Sequence, residues 1–139
     1  MLRQSRTTFP IRADRPGLHE FTREAAAFVA DSGMREGLLT IFCRHTSASL
    51  LIQENAAPSA RGDLERYFQK IAPESASYEH DDEGADDMPA HLRSALTQTA
   101  LSVPVADHRL VLGTWQGIFL FEHRDDTPER EIMLHLIGE

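Results

Sequence analysis

The sequence GTWQGIFLFEHR, residues 113–124, predicts a β-strand from residue 114 to residue 122. Side chains along a strand alternate between its two faces. Gln116 and Glu122 therefore share one face, and we expect them to line one wall of a site together. Trp115 lies on the opposite face, where it either belongs to the core or stacks on a flat heterocycle.

The segments on both sides of this strand predict more strands and a few helices. Helical spacing of apolar residues covers residues 18–30, 58–68 and 87 to about 97. Strand patterns cover residues 2–11, 38–43, 50–52, 101–105, 109–112 and 131–137. Antiparallel strands in succession with few helices are typical of the α+β class. We therefore predict one compact α+β domain over residues 1–139, largely an antiparallel β-sheet with a few flanking helices.

The composition narrows the function classes. The chain has 139 residues, with 14 Lys+Arg against 22 Asp+Glu and a net charge of −8. This acidity disfavours binding to nucleic-acid phosphates and to an anionic membrane surface. The only cysteine, Cys43, excludes an internal disulfide and any paired-cysteine zinc motif. We find no apolar segment of membrane-spanning length and no signal-peptide pattern, so we expect a soluble cytoplasmic protein.

The first candidate for chemistry is the sequence CRHTSAS at residues 43–49, at the end of a predicted buried strand. His45 beside small hydroxyl side chains is either a ligand, an acid/base group or a structural histidine. Ser47 either anchors a phosphate or caps the next turn. Cys43 is expected to be a small buried hydrophobic residue.

The second candidate is the acidic sequence YEHDDEGADDMPAH at residues 78–91, which His80 and His91 bracket. Such a run is either a solvated loop or a cation site. Asp87 and His91 are four residues apart, so they share a face if both are helical. Asp87 then either caps the helix or joins His91 as a ligand. Carboxylate with imidazole suits zinc or another transition metal, whereas magnesium prefers oxygen ligands.

The third candidate is the polar turn RDDTPERE at residues 124–131. Arg124 and Arg130 either clamp a phosphate or carboxylate, or pair with the neighbouring acidic side chains.

These segments together resemble the YjbQ family over nearly the whole chain. The resemblance is strongest in HTSA at residues 45–48, DDMPAH at residues 86–91 and LGTWQGI at residues 112–118. It continues through EHR at residues 122–124 to REI at residues 130–132. Members of that family are described as secondary thiamine-phosphate synthases, because they form thiamine phosphate weakly.

The resemblance implies a homotrimer of compact α+β domains and a small phosphorylated substrate. It also implies a polar site, for which the family fits binding either of a divalent metal, zinc or magnesium, or of an anion. We assign its residues as follows: catalytic His45, Asp87, Glu122 and Gln116; substrate-binding Ser47, Trp115 and Arg130; metal-binding His45, His80 and His91.

Three functions follow from this assignment. The first is a transferase that joins a hydroxymethylpyrimidine pyrophosphate to a thiazole phosphate and releases pyrophosphate, as a secondary activity. The second is a metal-dependent hydrolase of a small phosphorylated or acyl substrate, with Glu122 or Asp87 as the general base. The third is a non-catalytic trimer that sequesters a metal or a small anion.

Overall fold

The computed structural model describes residues 1–139 and confirms the α+β class. Eight strands and three helices follow one another in this order: β1 Arg3–Ile11, β2 Gly17–Glu20, α1 Thr22–Ser32, β3 Gly37–Cys43, β4 Ala48–Glu54, α2 Pro58–Ile71, α3 Asp87–Leu96, β5 Ala100–Ala106, β6 Arg109–Leu110, β7 Gln116–Glu122 and β8 Arg130–Gly138.

The strands form two antiparallel sheets. The larger sheet has the order β1-β8-β3-β5-β6, and the smaller has the order β2-β7-β4. Glu122 at the end of β7 pairs with Ala48 at the start of β4. Cys43 at the end of β3 pairs with Ile132 near the start of β8. These two pairings bring the ends of four strands together around residues 44–47.

Strand β7 is buried on both of its faces. Ile118 and Leu120 join the main core cluster, which also contains residues of the larger sheet and of α1. Phe119 and Phe121 face the other way, into a smaller cluster to which α2 contributes Phe68. The rings of Phe68 and Phe121 meet edge to face with centroids 5.3 Å apart. The unbroken apolar run IFLF at residues 118–121 fits this strand, because both of its faces are covered.

The helix predicted over residues 18–30 begins later than the sequence pattern indicated. Residues Gly17–Glu20 form β2, and α1 starts at Thr22. Leu18, which matched the helical spacing, is buried where it pairs with Phe121 of β7. Gly17 has a φ of 122°, a backbone conformation that L side chains rarely adopt, and it follows the bends at residues 14–16 that lead into β2. The single helix predicted from the apolar spacing of residues 18–30 is therefore a strand followed by a helix.

The start of β7 also differs from the prediction. Thr114 and Trp115 lie in a turn, and the strand begins at Gln116. The Gln116 N–H donates to the Gly113 carbonyl at 3.1 Å, which closes that turn. Trp115 is 64% exposed, which excludes the core as one of the two alternatives given for it.

One face of the larger sheet is left uncovered in the single chain. Leu38, Phe42 and Ile137 are 41%, 45% and 39% exposed, and they alternate along their strands with buried core residues. None of the three helices has the length and apolar character needed to cross a bilayer.

Candidate functional site

Three polar side chains meet at the first turns of α3. The Nε2 atom of His80 lies 2.9 Å from Asp87 Oδ2, and the Nε2 atom of His91 lies 3.2 Å from that same oxygen. Asp87 and His91 are one helical turn apart, and His80 comes from the preceding acidic loop. The three ligand atoms lie within 4.8 Å of one another. Bonds of about 2 Å to a tetrahedral zinc ion place ligand atoms a little over about 3 Å apart, so this cluster needs little adjustment.

The tautomer of His91 is fixed by the backbone. Its Nδ1 lies 3.0 Å from the carbonyl oxygen of Thr46. A carbonyl oxygen only accepts, so Nδ1 carries the proton, and the Nε2 of a neutral ring presents a lone pair. That lone pair faces the carboxylate of Asp87, an unfavourable contact unless a proton or a metal cation is shared there. In metal sites, the ring nitrogen of a histidine that does not bind the metal usually donates its N–H to a carbonyl or carboxylate, which orients the ring.

Arg124 holds the other oxygen of Asp87. Its Nη1 donates to Asp87 Oδ1, its Nε donates to Asp86 Oδ2 at 3.0 Å, and its Nη2 donates to the Glu83 carbonyl at 3.0 Å. Burial alone would raise the pKa of Asp87, but the hydrogen bond with His80 and the charges of His91 and Arg124 hold that pKa below its ordinary value. Asp87 is therefore a carboxylate at neutral pH, with Oδ2 directed at the two histidines.

The acidic run divides into an exposed part and a buried part. Asp82 and Glu83 are exposed, and both contact the ring of His80, at 3.6 Å and 3.1 Å. The pKa of His80 is raised by its hydrogen bond with Asp87, and the charges of Asp82 and Glu83 act in the same direction. Asp87 is only 3% exposed and is the first residue of α3. Asp86 is the N-cap, which excludes capping as one of the two alternatives given for Asp87.

Glu122 and Arg130 form a buried ion pair. Arg130 Nε donates to Glu122 Oε1 at 2.8 Å, and Arg130 Nη2 donates to Oε2 at 2.5 Å. Oε2 also accepts the backbone N–H groups of His123 and Arg124. The Glu122 side chain is 0% exposed. Both of its oxygens are thus engaged and out of contact with solvent, so the structure does not place Glu122 where it could act as a general base.

A pocket of about 630 Å³ opens beside this ion pair, lined by residues 42–47 with Thr99 and Arg130. His45 lies in its wall, and His45 Nε2 accepts the backbone N–H of Glu131 at 2.8 Å. Nδ1 of the neutral ring therefore carries the proton and can only donate. Burial and the positive charge of Arg130 lower the pKa of His45, which favours this neutral form.

His45 is consequently not brought to the metal-type cluster. The Nε2 atom of His45 already accepts the backbone N–H of Glu131. The side chains close enough together to share a metal ion include His80, Asp87 and His91 but not His45. The neighbouring Cys43 is 1% exposed, and burial raises the pKa of its thiol to about 11. Cys43 is the buried hydrophobic residue that the sequence predicted, and it is not an activated nucleophile.

Gln116 and Trp115 lie far from the cluster. Gln116 pairs with Glu54 and Glu122 pairs with Ala48, so they occupy opposite ends of β7. Six residues of strand span about 20 Å, and the shared wall predicted for Gln116 and Glu122 is therefore wrong. The side chain of Gln116 instead accepts the Gly113 N–H at 2.7 Å. Facing the same side of a strand did not bring these residues together, because they are separated along its length.

A buried chain of hydrogen bonds behind the site was not predicted. The Oγ atom of Ser49 lies 2.9 Å from His123 Nε2 and 2.5 Å from Thr97 Oγ1. Burial lowers the pKa of His123 to about 3, so the ring is neutral. These contacts tie the ends of β4 and β7 to the last turn of α3. A histidine directly after the last residue of β7 was the only signal in the sequence.

Sequence comparison identifies the family of this chain. A sequence model of the family described as "UPF0047 protein YjbQ-like" matches residues 7–139. The chain therefore belongs to the YjbQ-like UPF0047 family. It is 49% identical to UPF0047 protein sll1880 of Synechocystis sp. over 138 residues, which cover 99% of this chain and 94% of that protein. It is 44% identical to UPF0047 protein YjbQ of Escherichia coli O157:H7 over 133 residues, which cover 95% of this chain and 96% of that protein.

Solved structures agree with this assignment. A crystal structure of a YbjQ-like protein of unknown function from Sulfolobus solfataricus P2 matches with a TM-score of 0.92 and 25% identity, covering all of both chains. A hypothetical protein of Aeropyrum pernix K1 matches with a TM-score of 0.88 and 26% identity, over 97% of this chain and 99% of that one. These likenesses support the fold and the family.

Proposed function

We propose that the chain binds one divalent metal ion through His80, Asp87 and His91. The observation that carries this proposal is the convergence of His80 Nε2, Asp87 Oδ2 and His91 Nε2 within 4.8 Å of one another, with the Thr46 carbonyl holding the other ring nitrogen of His91. Two imidazole nitrogens and one carboxylate suit zinc better than magnesium. Three protein ligands leave a fourth position open, which is the arrangement of catalytic rather than structural zinc sites.

We further propose that the reaction is the weak formation of thiamine phosphate that the family resemblance implies. The nitrogen lone pair of the thiazole phosphate forms a C–N bond to the methylene carbon of the pyrimidine pyrophosphate. The C–O bond to that carbon breaks, and its electron pair leaves with pyrophosphate. When bound, a divalent cation would neutralise charge on the departing pyrophosphate.

The hydrogen bonding of the site supports a reaction that needs no general base, because it engages the side chains that the hydrolase alternative would use as one. The C–N bond forms without loss of a proton from the attacking nitrogen, so no general base is required. Hydrolysis needs an activated water, which is supplied either by a general base or by a metal ion that lowers the pKa of its bound water. Glu122 is enclosed by Arg130 and backbone N–H groups, and His45 presents an N–H rather than a lone pair. Asp87 is the one predicted base that remains, and Arg124 occupies one of its oxygens.

The activity can be tested directly with the purified protein loaded with zinc. We expect thiamine phosphate to form above a no-protein control in the wild type and in His19→Ala. His19 lies outside the cluster and serves as the matched histidine control. We expect His91→Ala to form none. Equal product from wild type and His91→Ala, or none above background from either, would overturn the proposed reaction. Metal binding without turnover would favour the sequestering function.

We also propose, from the family resemblance, that the protein assembles as a homotrimer and works in the cytoplasm. The uncovered apolar face of the larger sheet supports assembly, because Leu38, Phe42 and Ile137 would otherwise remain in water. A small phosphorylated molecule remains the proposed substrate class.

A further inference from the structure

We propose that the pocket beside His45 binds the phosphate group of the substrate and that the turn at residues 45–47 couples phosphate binding to metal binding. This inference rests on the proposed metal centre at His80, Asp87 and His91. It adds the location of the anion, the groups that recognise it and an energetic link between the two ligands.

The link is built from two neighbouring carbonyl groups. The carbonyl of Thr46 accepts from His91 Nδ1 at 3.0 Å, and the carbonyl of Ser47 accepts from Arg130 Nη2 at 3.0 Å. The Cα atoms of consecutive residues are about 3.8 Å apart. One short turn therefore orients a ligand of the metal-type cluster on one side and a cation of the pocket on the other. A ligand that fixes this turn also fixes the ring of His91.

The pocket is lined by several side chains with hydrogen-bond donors and by no carboxylate side chain. His45 offers Nδ1–H, since its Nε2 is bound to the Glu131 N–H. Arg130 lines the pocket, and its Nη1 makes no hydrogen bond within the chain. Ser47 and Thr99, which each carry a hydroxyl group, also line the pocket. Phosphate oxygens are acceptors, so this set of donors matches a phosphate group and does not match a cation.

The charges around the pocket explain why the metal is needed. Arg130 is paired with Glu122, and Arg44 is paired with Glu131 at 3.1 Å. The two arginines are therefore already neutralised, and the nearby acidic loop repels a dianion. A divalent cation beside the pocket would add positive charge, so that a phosphate dianion would be attracted and not repelled. By thermodynamic linkage, a phosphate that binds more tightly with metal present must raise the affinity for metal by the same factor.

The test uses the full chain, Zn²⁺ and phenyl phosphate as the probe, with phenol as the uncharged control ligand. Zinc affinity is measured by competition with a chromophoric chelator, with and without saturating phenyl phosphate. We expect phenyl phosphate to lower the Kd for zinc at least about fivefold, the lower end of typical coupling between two sites. Zinc should tighten phenyl phosphate binding by the same factor, and phenol should change nothing.

Variants locate the phosphate. Arg130→Lys keeps a cation beside Glu122 but loses the free Nη1, and Ser47→Ala removes a hydroxyl without touching the backbone bonds. For each variant, the quantity compared is the ratio of zinc Kd values without and with phenyl phosphate. We expect a ratio near one for Arg130→Lys, a reduced ratio for Ser47→Ala, and the wild-type ratio for the exposed control Ser59→Ala.

The outcomes separate this inference from the proposal on which it rests. If zinc binds but the wild-type ratio is one, the coupling is overturned and the metal centre remains. If Ser47→Ala and Arg130→Lys both keep the wild-type ratio, the phosphate binds elsewhere and the inference is overturned. Ser47→Ala alone decides this point if Arg130→Lys fails to fold. If the wild type binds no zinc, the metal centre and the coupling are overturned together.

Discussion

Replacing Arg130 with methionine is expected to be one of the most destabilising single changes in this fold. The substitution keeps most of the side-chain volume but leaves Glu122 buried without its cation. Glu122 is 0% exposed and would lose two charge-assisted hydrogen bonds, at 2.8 Å and 2.5 Å. Each such bond contributes about 1.5–3 kcal/mol. That agrees with the loss of about 3–5 kcal/mol expected when one partner of a buried ion pair is removed.

Urea unfolding measures this loss. With a slope of about 2 kcal/mol per molar urea, as is typical of small proteins, the midpoint of Arg130→Met should fall by about 2 M. The matched control is Arg44→Met, which breaks the exposed pair of Arg44 with Glu131. Exposed pairs contribute less than about 1 kcal/mol, so its midpoint should fall by less than about 0.5 M. Equal midpoints for the two variants would refute the structural role assigned to Glu122 and Arg130.

Three further results are expected. In metal-free protein, Asp87→Asn should cost more stability at pH 5.5 than at pH 8.5, measured by urea unfolding. The pKa of Asp87 is lowered, so the stability that its charge contributes is lost only as the pH falls through that pKa. The pKa of His80 is raised, so the stability that its charge contributes is present at pH 5.5 and is lost as the pH rises through that pKa. An equal cost of Asp87→Asn at both pH values would contradict this pairing. Phe121 is buried, so Phe121→Ala should lower the free energy of unfolding by about 3–5 kcal/mol. Trp115 is exposed, so Trp115→Ala should change that free energy by less than about 1 kcal/mol. The reverse order would contradict the burial of β7. Light scattering should show three times the chain mass for the wild type and a smaller mass for Phe42→Asp, whereas a wild-type monomer would remove the homotrimer proposal.

The sequence predicted elements better than it predicted their partners. Strand β7 was recognisable because its apolar run is unbroken, and that same feature reflects burial on two faces. Strand β2 was missed because Leu18 fits the spacing of α1 equally well. Only pairing with Phe121, more than a hundred residues further along the chain, makes residues 17–20 a strand. Periodicity does not contain such long-range information.

The candidate site shows the same division. Asp87 and His91 were predicted to meet because a helical spacing of four residues brings side chains together locally. His80 was predicted to join them because it lies at the start of the acidic run that leads to Asp87. The roles of Glu122 and His45 depended on groups that the sequence did not place beside them: Arg130 encloses Glu122, and the backbone N–H of Glu131 occupies His45. Whether a polar side chain is free or engaged is set by tertiary contacts.

The most direct test of the account is elemental analysis of tag-free protein after incubation with Zn²⁺ and removal of unbound metal. We expect close to one zinc per chain in the wild type and in His19→Ala, and almost none in His91→Ala. Circular dichroism of His91→Ala would show that the loss of zinc is not a loss of fold. A wild type without zinc, or a His91→Ala variant that retains it, would contradict a metal centre at His80, Asp87 and His91.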